Sequence, residues 1–392
     1  MLLGTGGVGK TTSSVAVACA LAREGRKVAL LTVDPARRLE ALVHGLGGGV
    51  LRCRAAGAEL ARESSSPPQD PEGLPLSAGF VRVERMDVPS LAEAYLRRCA
   101  PDEDLANRLL ASRFYPHLSN RLQAMHEYMA ADRILALLEQ GEADHVVVDT
   151  PPFAFALHFL EAPRRLGNMA ATARRVFPGP SLRRTGQSSG PKGPHAGPSG
   201  TERHPLSLLS PVLVKGLSFF LGREFLSDLV DFVAAFGQMF GAMEERAVAA
   251  LRMFHEQTSF GVVFVPESHS TRDLLSFLSA RPEWLRLDFI VANRMLSGEW
   301  TGSLPDAGQL AAAFRAEGAL GLYKPAQVTA SARATHKALQ TQRWLFEAQV
   351  HLLEKVRAAC TDVAEEAIWR LPLIPGGVKS LDELECLARG MR

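Results

Sequence analysis

The 392-residue chain lacks a paired-cysteine pattern. Its cysteines, Cys19, Cys53, Cys99, Cys360 and Cys386, are odd in number and none stands at CxxC spacing. That spacing argues against a disulfide framework or a zinc finger and fits a reducing cytoplasm. A charge excess is also missing: Lys+Arg is 44, Asp+Glu is 42, and the net charge is +2. Nucleic-acid binders usually carry a basic stripe or excess, so there is no electrostatic case for nucleic acid. No uncharged apolar run reaches the roughly 18 residues of a membrane span. At the N-terminus a glycine-rich motif stands where a signal peptide would carry its apolar stretch. Aromatic residues are only 7%, yet hydrophobic residues reach 46% and charged residues 22%. That is enough apolar side chain to exclude disorder as the main state. The length suits two or three domains, or one large α/β domain with insertions.

The first 35 residues hold the strongest pattern. Met1-Leu2-Leu3 is a short apolar piece, followed by Gly4-Thr5-Gly6-Gly7-Val8-Gly9-Lys10-Thr11-Thr12. Val15, Ala18, Cys19 and Ala22 then recur at helical spacing, and Gly25 suits the position just past a helix end. Residues Lys27 to Val33 read as a strand closing on Asp34-Pro35. A strand–loop–helix–strand unit implies a parallel sheet. Only three residues precede the loop, which predicts a first strand beginning upstream of Met1.

Further along, Glu63 to Ser77 is rich in Ser and Pro and reads as a loop. Ser90 with Glu93 predicts a capping box starting a helix through Cys99. His145-Val146-Val147-Val148 reads as a buried strand ending on Asp149-Thr150-Pro151-Pro152. Residues 178–205 hold Gly, Pro and Ser at 16 of 28 positions, the composition of a flexible loop without its own core. Residues 206–256 form an apolar helical subdomain, followed by strands near Gly261–Val265 and Leu287–Ala292. A long helix over Val328–Ala359, a short strand at Ala367–Leu371 and a short closing helix complete the chain. There is no second glycine-rich loop of the first kind, so the chain reads as one nucleotide-binding unit, a single domain over 1–392.

Gly4-x4-Gly9-Lys10-Thr11 satisfies the Walker A pattern. Gly6, Gly7 and Gly9 let backbone N–H groups approach phosphate oxygens without a Cβ clash, and Val8 lies in the same phosphate-binding loop. The helix starting near Lys10 aims its positive end at the same anion. Lys10 supplies a point charge, Thr11 offers a hydroxyl to Mg²⁺, and Thr12 can donate to the α-phosphate. Asp34 and Asp149 each end an apolar strand, where open α/β sheets bind ligands. Asp149 stands at a Walker B position and would hold Mg²⁺. A turn or helix cap is the commoner role of an aspartate after a strand.

GTGGVGKTT, TVDPARRL, VVVDTPP and the later VANR resemble the ArsA family of deviant-Walker, MinD-like ATPases. The resemblance implies a P-loop NTPase fold: a mostly parallel sheet flanked by helices, with a helical subdomain insertion. It implies ATP and Mg²⁺ as ligands and hydrolysis of ATP to ADP and phosphate, coupled to a partner or client. It makes Asp34 the switch I residue that orients the attacking water and Asp149 to Pro152 switch II. It places Asn293 at the adenine edge, with Leu373 and Pro375 packing over the base. It implies a homodimer or pseudo-dimer, and a membrane pump subunit or hydrophobic client as partner. From the residues alone, Asn293 ends an apolar strand and can hydrogen-bond a base or serve as a turn residue. Arg294, Met295 and Leu296 follow it, without the carboxylate of a guanine reader, so ATP is favoured over GTP.

The chain departs from the family at several points. Thr5 stands where the deviant loop usually carries a lysine that reaches across a dimer. Phe155 stands where a histidine is usual after switch II. Neither the metalloid-binding cysteine triad nor the zinc-clasp CxxC has a counterpart. These departures leave a second reading, a nucleotide-gated binding module with little hydrolysis. A third, a ParA- or MinD-like positioning ATPase, meets an acidic closing segment with Asp382, Glu383 and Glu385, poorly suited to anionic lipid. The phenylalanines of 206–240 fit either a hydrophobic client groove or a buried helix pair.

Overall fold

The computed structural model describes residues 1–33, 50–52, 61–62, 79–84, 86–116, 126–176, 223–296, 303–317, 324–378, 381–389 and 391. Asp34, the loops expected over 63–77 and 178–205, and residues 206–222 lie outside the described residues.

Among the described residues nine strands form one sheet. They are β1 (Leu2–Gly4), β2 (Lys27–Thr32), β3 (Val50–Arg52), β4 (Ala61–Arg62), β5 (Phe80–Glu84), β6 (His145–Asp149), β7 (Gly261–Phe264), β8 (Phe289–Met295) and β9 (Ile368–Pro372). Their order is β4-β3-β5-β2-β6-β1-β7-β8-β9. From β5 to β9 every neighbouring pair is parallel. β3 and β4 extend one edge in antiparallel fashion. The mostly parallel α/β fold expected of a P-loop NTPase is therefore present. The short β3 and β4 carry no pattern that marked them in the sequence.

The parallel strands are apolar because both faces are covered. In β2, Val28 and Leu30 join the core that holds helix α1 (Lys10–Arg23), whereas Ala29 between them packs with Leu137 on the other face. The spacing of Val15, Ala18, Cys19 and Ala22 is that of the buried face of α1, and all four are fully buried. Gly25 ends this helix at φ 81°, a left-handed conformation that costs a glycine little.

The remaining helices are α2 (Val88–Cys99), α3 (Glu103–Ala111), α4 (His126–Glu139), α5 (Phe153–Val176), α6 (Arg223–Gly237), α7 (Phe240–Glu256), α8 (Ser268–Ala280), α9 (Ala307–Ala316), α10 (Pro325–Ala359) and α11 (Leu381–Arg389). The capping box expected at Ser90 and Glu93 is not formed. Helix α2 starts earlier, with Asp87 at its N-cap and Pro89 in the first turn, and the Ser90 hydroxyl donates to Asp87. Proline's fixed φ favours the first helical turn, which draws the start back to Val88. Glu93 instead pairs with Arg97 one turn on.

Two compact units divide the chain. One comprises Met1–Arg85, Leu137–Leu157 and Thr258–Arg392 and contains the sheet. The other comprises Met86–Ala136 and His158–Gln257 and is helical, reaching well beyond the 206–256 stretch. Its core joins Tyr95, Leu96, Leu105, Leu109, Tyr128 and Leu166 to Met239, Phe240 and Met243, with Phe232 and Phe236 packed against it. Phe232, Ala235, Phe236, Met239, Phe240, Ala242 and Met243 are thus core or packed on core, whereas Ala234 is exposed. Phe219 and Phe220 lie outside the described residues.

The same unit buries an ion triad. Asp132, 1% exposed, accepts from Arg246 Nε at 2.6 Å and from Arg98 Nη2. Two guanidiniums converge on one carboxylate, which offsets part of the desolvation cost of all three.

Candidate functional site

Parallel pairing puts the C-terminal ends of β6, β1, β7, β8 and β9 on one edge of the sheet. The chain crosses from β1 outward to β2 on one side and to β7, β8 and β9 on the other. β1 is therefore a topological switch point, where open α/β sheets bind ligands. The loop Gly4–Gly9 leaves β1 at this edge and runs into α1.

Gly9 is the N-cap of α1, with φ 93° and no side-chain capping bond, and the first turn carries no acidic residue. The N–H groups of that turn have no protein side chain competing for them at the cap, the arrangement that receives anions. Lys10 is buried, and its ammonium donates to the carbonyls of Gly4 at 3.1 Å and Thr5 at 2.8 Å. These bonds curl the lysine back along the loop. Gly4 is required by packing: a Cβ there would lie 2.5 Å from the Val263 carbonyl on β7.

Asp149 ends β6 and is 2% exposed. The Thr11 hydroxyl donates to its Oδ2 at 2.7 Å. Next to it, the Thr150 hydroxyl donates to the Leu2 carbonyl at 2.6 Å, which ties the start of the Thr150-Pro151-Pro152 segment to β1. Thr11 and Asp149 bring two hard oxygen donors together, the donor type Mg²⁺ prefers. Among the described residues no cluster of three or more His, Cys, Asp or Glu could hold a metal by itself.

On the other side of the loop, Asn293 and Arg294 stand near the end of β8. Asn293 is buried, its Nδ2 donates to the Val8 carbonyl at 2.8 Å, and its Oδ1 accepts from the Arg294 N–H at 2.9 Å. A Cβ on Gly9 would fall 2.2 Å from Asn293 Nδ2, so the close approach of this amide is a second reason for glycine at position 9. The Arg294 guanidinium donates to the Gly7 carbonyl at 3.1 Å. Arg294 has φ 58°, a left-handed conformation that costs a non-glycine residue about 1–2 kcal/mol. Gln349 of α10 brackets this segment, accepting from the Leu296 N–H at 2.9 Å and donating to the Arg294 carbonyl at 3.1 Å. Beyond its two bonds, the Asn293 amide keeps one N–H and one lone pair.

Leu373 follows β9, and its N–H donates to the Met295 carbonyl at 2.8 Å. Leu373 and Pro375 are exposed in the turn beside the end of β8. Thr12 lies in the first turn of α1, half-buried. Phe155, at the histidine position of the resemblance, is 59% exposed on α5. The structure thus gathers Gly6 to Thr12, Asp149, Asn293, Leu373 and Pro375 along one edge of one unit, while Asp34 lies outside the described residues. Sequence reasoning placed Thr150 in switch II but missed its bond to β1, and it gave no role to Arg294 or Gln349. Of these two only Arg294 carried any signal, its place directly after Asn293.

Residues 2–294 match the model of the CobQ/CobB/MinD/ParA nucleotide-binding domain. The chain belongs to this family. Among curated proteins, it is 26% identical over 192 residues to the ATPase get3 of Schizosaccharomyces pombe, covering 48% of this chain and 50% of that one. It is 28% identical over 173 residues to an Aquifex aeolicus protein provisionally named arsenical pump-driving ATPase 2, covering 42% of this chain and 49% of the other. The chain spans about half the length of the curated relatives it matches. Among the described residues no helix is long and apolar enough to cross a membrane.

Proposed function

We propose that this family member binds ATP with Mg²⁺ and hydrolyses it to ADP and phosphate, using the switch segments to signal to a partner or client. The observation that carries the reading is the Thr11–Asp149 hydrogen bond beside an uncapped helix N-terminus with Lys10 folded over the loop. These are the parts that phosphoryl transfer needs: a cradle of N–H groups, a cation and metal-binding oxygens. Mg²⁺ bound at Thr11 and Asp149 would neutralise charge on the phosphate oxygens. Lys10 and the amides of Gly6 to Gly9 would bind and orient the phosphates, with Thr12 donating to the α-phosphate. Asn293 would meet the adenine edge, and Leu373 and Pro375 would cover the base. Asp34 would hold the attacking water in line.

By likeness to relatives named as a pump-driving ATPase and as get3, the partner would be a membrane pump subunit or a hydrophobic client. The chain would act in the cytoplasm, as a homodimer whose contact dispenses with the usual lysine at position 5.

Phosphate release from MgATP by the parent, Lys10→Ala and Asp34→Asn tests the reading. Turnover is expected in the parent alone, with binding lost in Lys10→Ala and retained in Asp34→Asn. Unchanged turnover in Lys10→Ala would overturn it. ATP binding without phosphate release in the parent would leave the nucleotide-gated binding module instead.

A further inference from the structure

We propose that Arg294, with Asn293, is a positioning residue that sets the direction of the phosphate-binding amides from outside the loop. The inference rests on the reading that the loop holds a nucleotide phosphate.

The starting point is a bulge. β8 takes three steps from Ala292 to Met295 while β9 takes two from Arg370 to Pro372, so β8 carries one extra residue. In a regular strand, side chains 293 and 294 would point to opposite faces. Here the extra residue and the left-handed φ of Arg294 let two successive side chains reach the same loop. Bulges beside functional sites commonly re-aim side chains in this way.

Both side chains take hold of carbonyls, at Gly7 and Val8. A trans peptide is planar, so its C=O and N–H point in opposite directions. The Gly7 carbonyl shares its plane with the Val8 N–H, and the Val8 carbonyl shares its plane with the Gly9 N–H. Drawing the two carbonyls toward β8 therefore turns the Val8 and Gly9 N–H groups away from it, in the orientation an anion on the inner side of the loop requires. The donors are then fixed before the ligand arrives, which avoids reorganisation on binding. Arg294 also brings a second cation to the loop besides Lys10. Gln349 holds the bulge by its peptide groups and so keeps the Arg294 side chain aimed.

Local backbone strain that serves a site has a distinct mutational signature. Arg294→Gly removes the guanidinium while keeping the left-handed backbone without steric strain. A residue with a merely structural role would leave nucleotide affinity unchanged in this variant. The positioning role predicts the opposite pattern: thermal stability equal to the parent or higher, with MgATP and MgADP affinity lower by about tenfold or more, the loss of a charge-assisted hydrogen bond. Amide exchange at Val8 and Gly9 should quicken in the nucleotide-free protein. Gln349→Leu, which touches no loop carbonyl, should shift affinity in the same direction by a smaller factor. These are read by titration calorimetry, thermal melts and amide exchange on the full chain. A parent that binds MgATP alongside an Arg294→Gly variant of parental affinity and parental Val8 and Gly9 exchange would overturn this inference alone. A parent that binds no MgATP would overturn the nucleotide reading and this inference with it.

Discussion

The Thr11 hydroxyl donates to Asp149 Oδ2 at 2.7 Å across 138 positions of sequence. One residue sits in the first turn of α1 and the other ends β6, the strand beside β1. The bond therefore depends on the parallel pairing of β1 with β6. Asp149→Asn keeps the shape of the side chain and an oxygen that can accept from Thr11. The variant is expected to fold as the parent does and to lose the Mg²⁺-dependent part of its ATP affinity. Turnover should fall by roughly 10²–10³, the usual cost of one electrostatic stabiliser. Calorimetry with and without Mg²⁺ checks this. Equal tightening by Mg²⁺ in both proteins would show that the carboxylate is not a metal ligand.

The buried triad of the helical unit gives a stability prediction. Asp132→Ala leaves the Arg98 and Arg246 guanidiniums facing each other with side-chain exposures of only 19% and 17%. The expected loss is about 3–5 kcal/mol, typical of breaking a buried ion pair from one side. Urea unfolding measures it. A loss below about 1 kcal/mol, the range of surface ion pairs, would show that the triad is effectively solvated.

These two sites were not equally legible in the sequence. The Walker pattern is local, so Gly6 to Thr12 could be read directly, and Asp149 announces itself by ending a run of valines. The core face of α1 follows from helical periodicity at Val15, Ala18, Cys19 and Ala22. Asp132 was invisible because its partners lie 34 and 114 positions away, a pairing no local pattern encodes. Arg294 was passed over because a left-handed arginine in a strand bulge has no compositional signature. Asn293 was noticed for its place at the end of an apolar strand and for one chemistry. Its grip on the Val8 carbonyl depends on how β8 and the loop pack together.

Alkaline pH should loosen the helical unit. Burial pushes the Cys99 thiol from 9.0 up to about 12, and also raises the Tyr95 and Tyr128 hydroxyls above their ordinary value of 10.0. In the unfolded chain these groups lose protons first. Stability is then complete below pH 9 and falls as pH rises toward the folded values, by about 1.4 kcal/mol per pH unit for each group. Urea midpoints at about pH 8 and about pH 10.5 should show the fall, and Cys99→Ala should flatten part of it. A midpoint that holds steady over that range would contradict the assignment.

Thiol reagents should discriminate among the described cysteines. Cys386 is exposed, whereas Cys99 and Cys360 are buried. Burial also pushes the Cys360 thiol up to about 11. Because the thiolate is the nucleophile, native labelling at neutral pH is expected at Cys386 and absent at Cys99 and Cys360 until denaturant is added. Mass spectrometry of labelled peptides reads the result, and rapid native labelling of Cys99 would show that its core opens.

The helix that follows the phosphate loop shares its core with the far end of the sequence. Val15, Ala18, Cys19 and Ala22 of α1 belong to one cluster with Leu384, Leu387 and Ala388 of α11 and with Met391. β1 is likewise flanked by β7, which is formed only from Gly261 onward. On a ribosome, therefore, the loop emerges well before β7 and α11, the later segments that support it. A nascent chain would carry the residues of the site long before it could grip a nucleotide. Stalled chains cut short of α11 would expose the apolar side of α1 to chaperones.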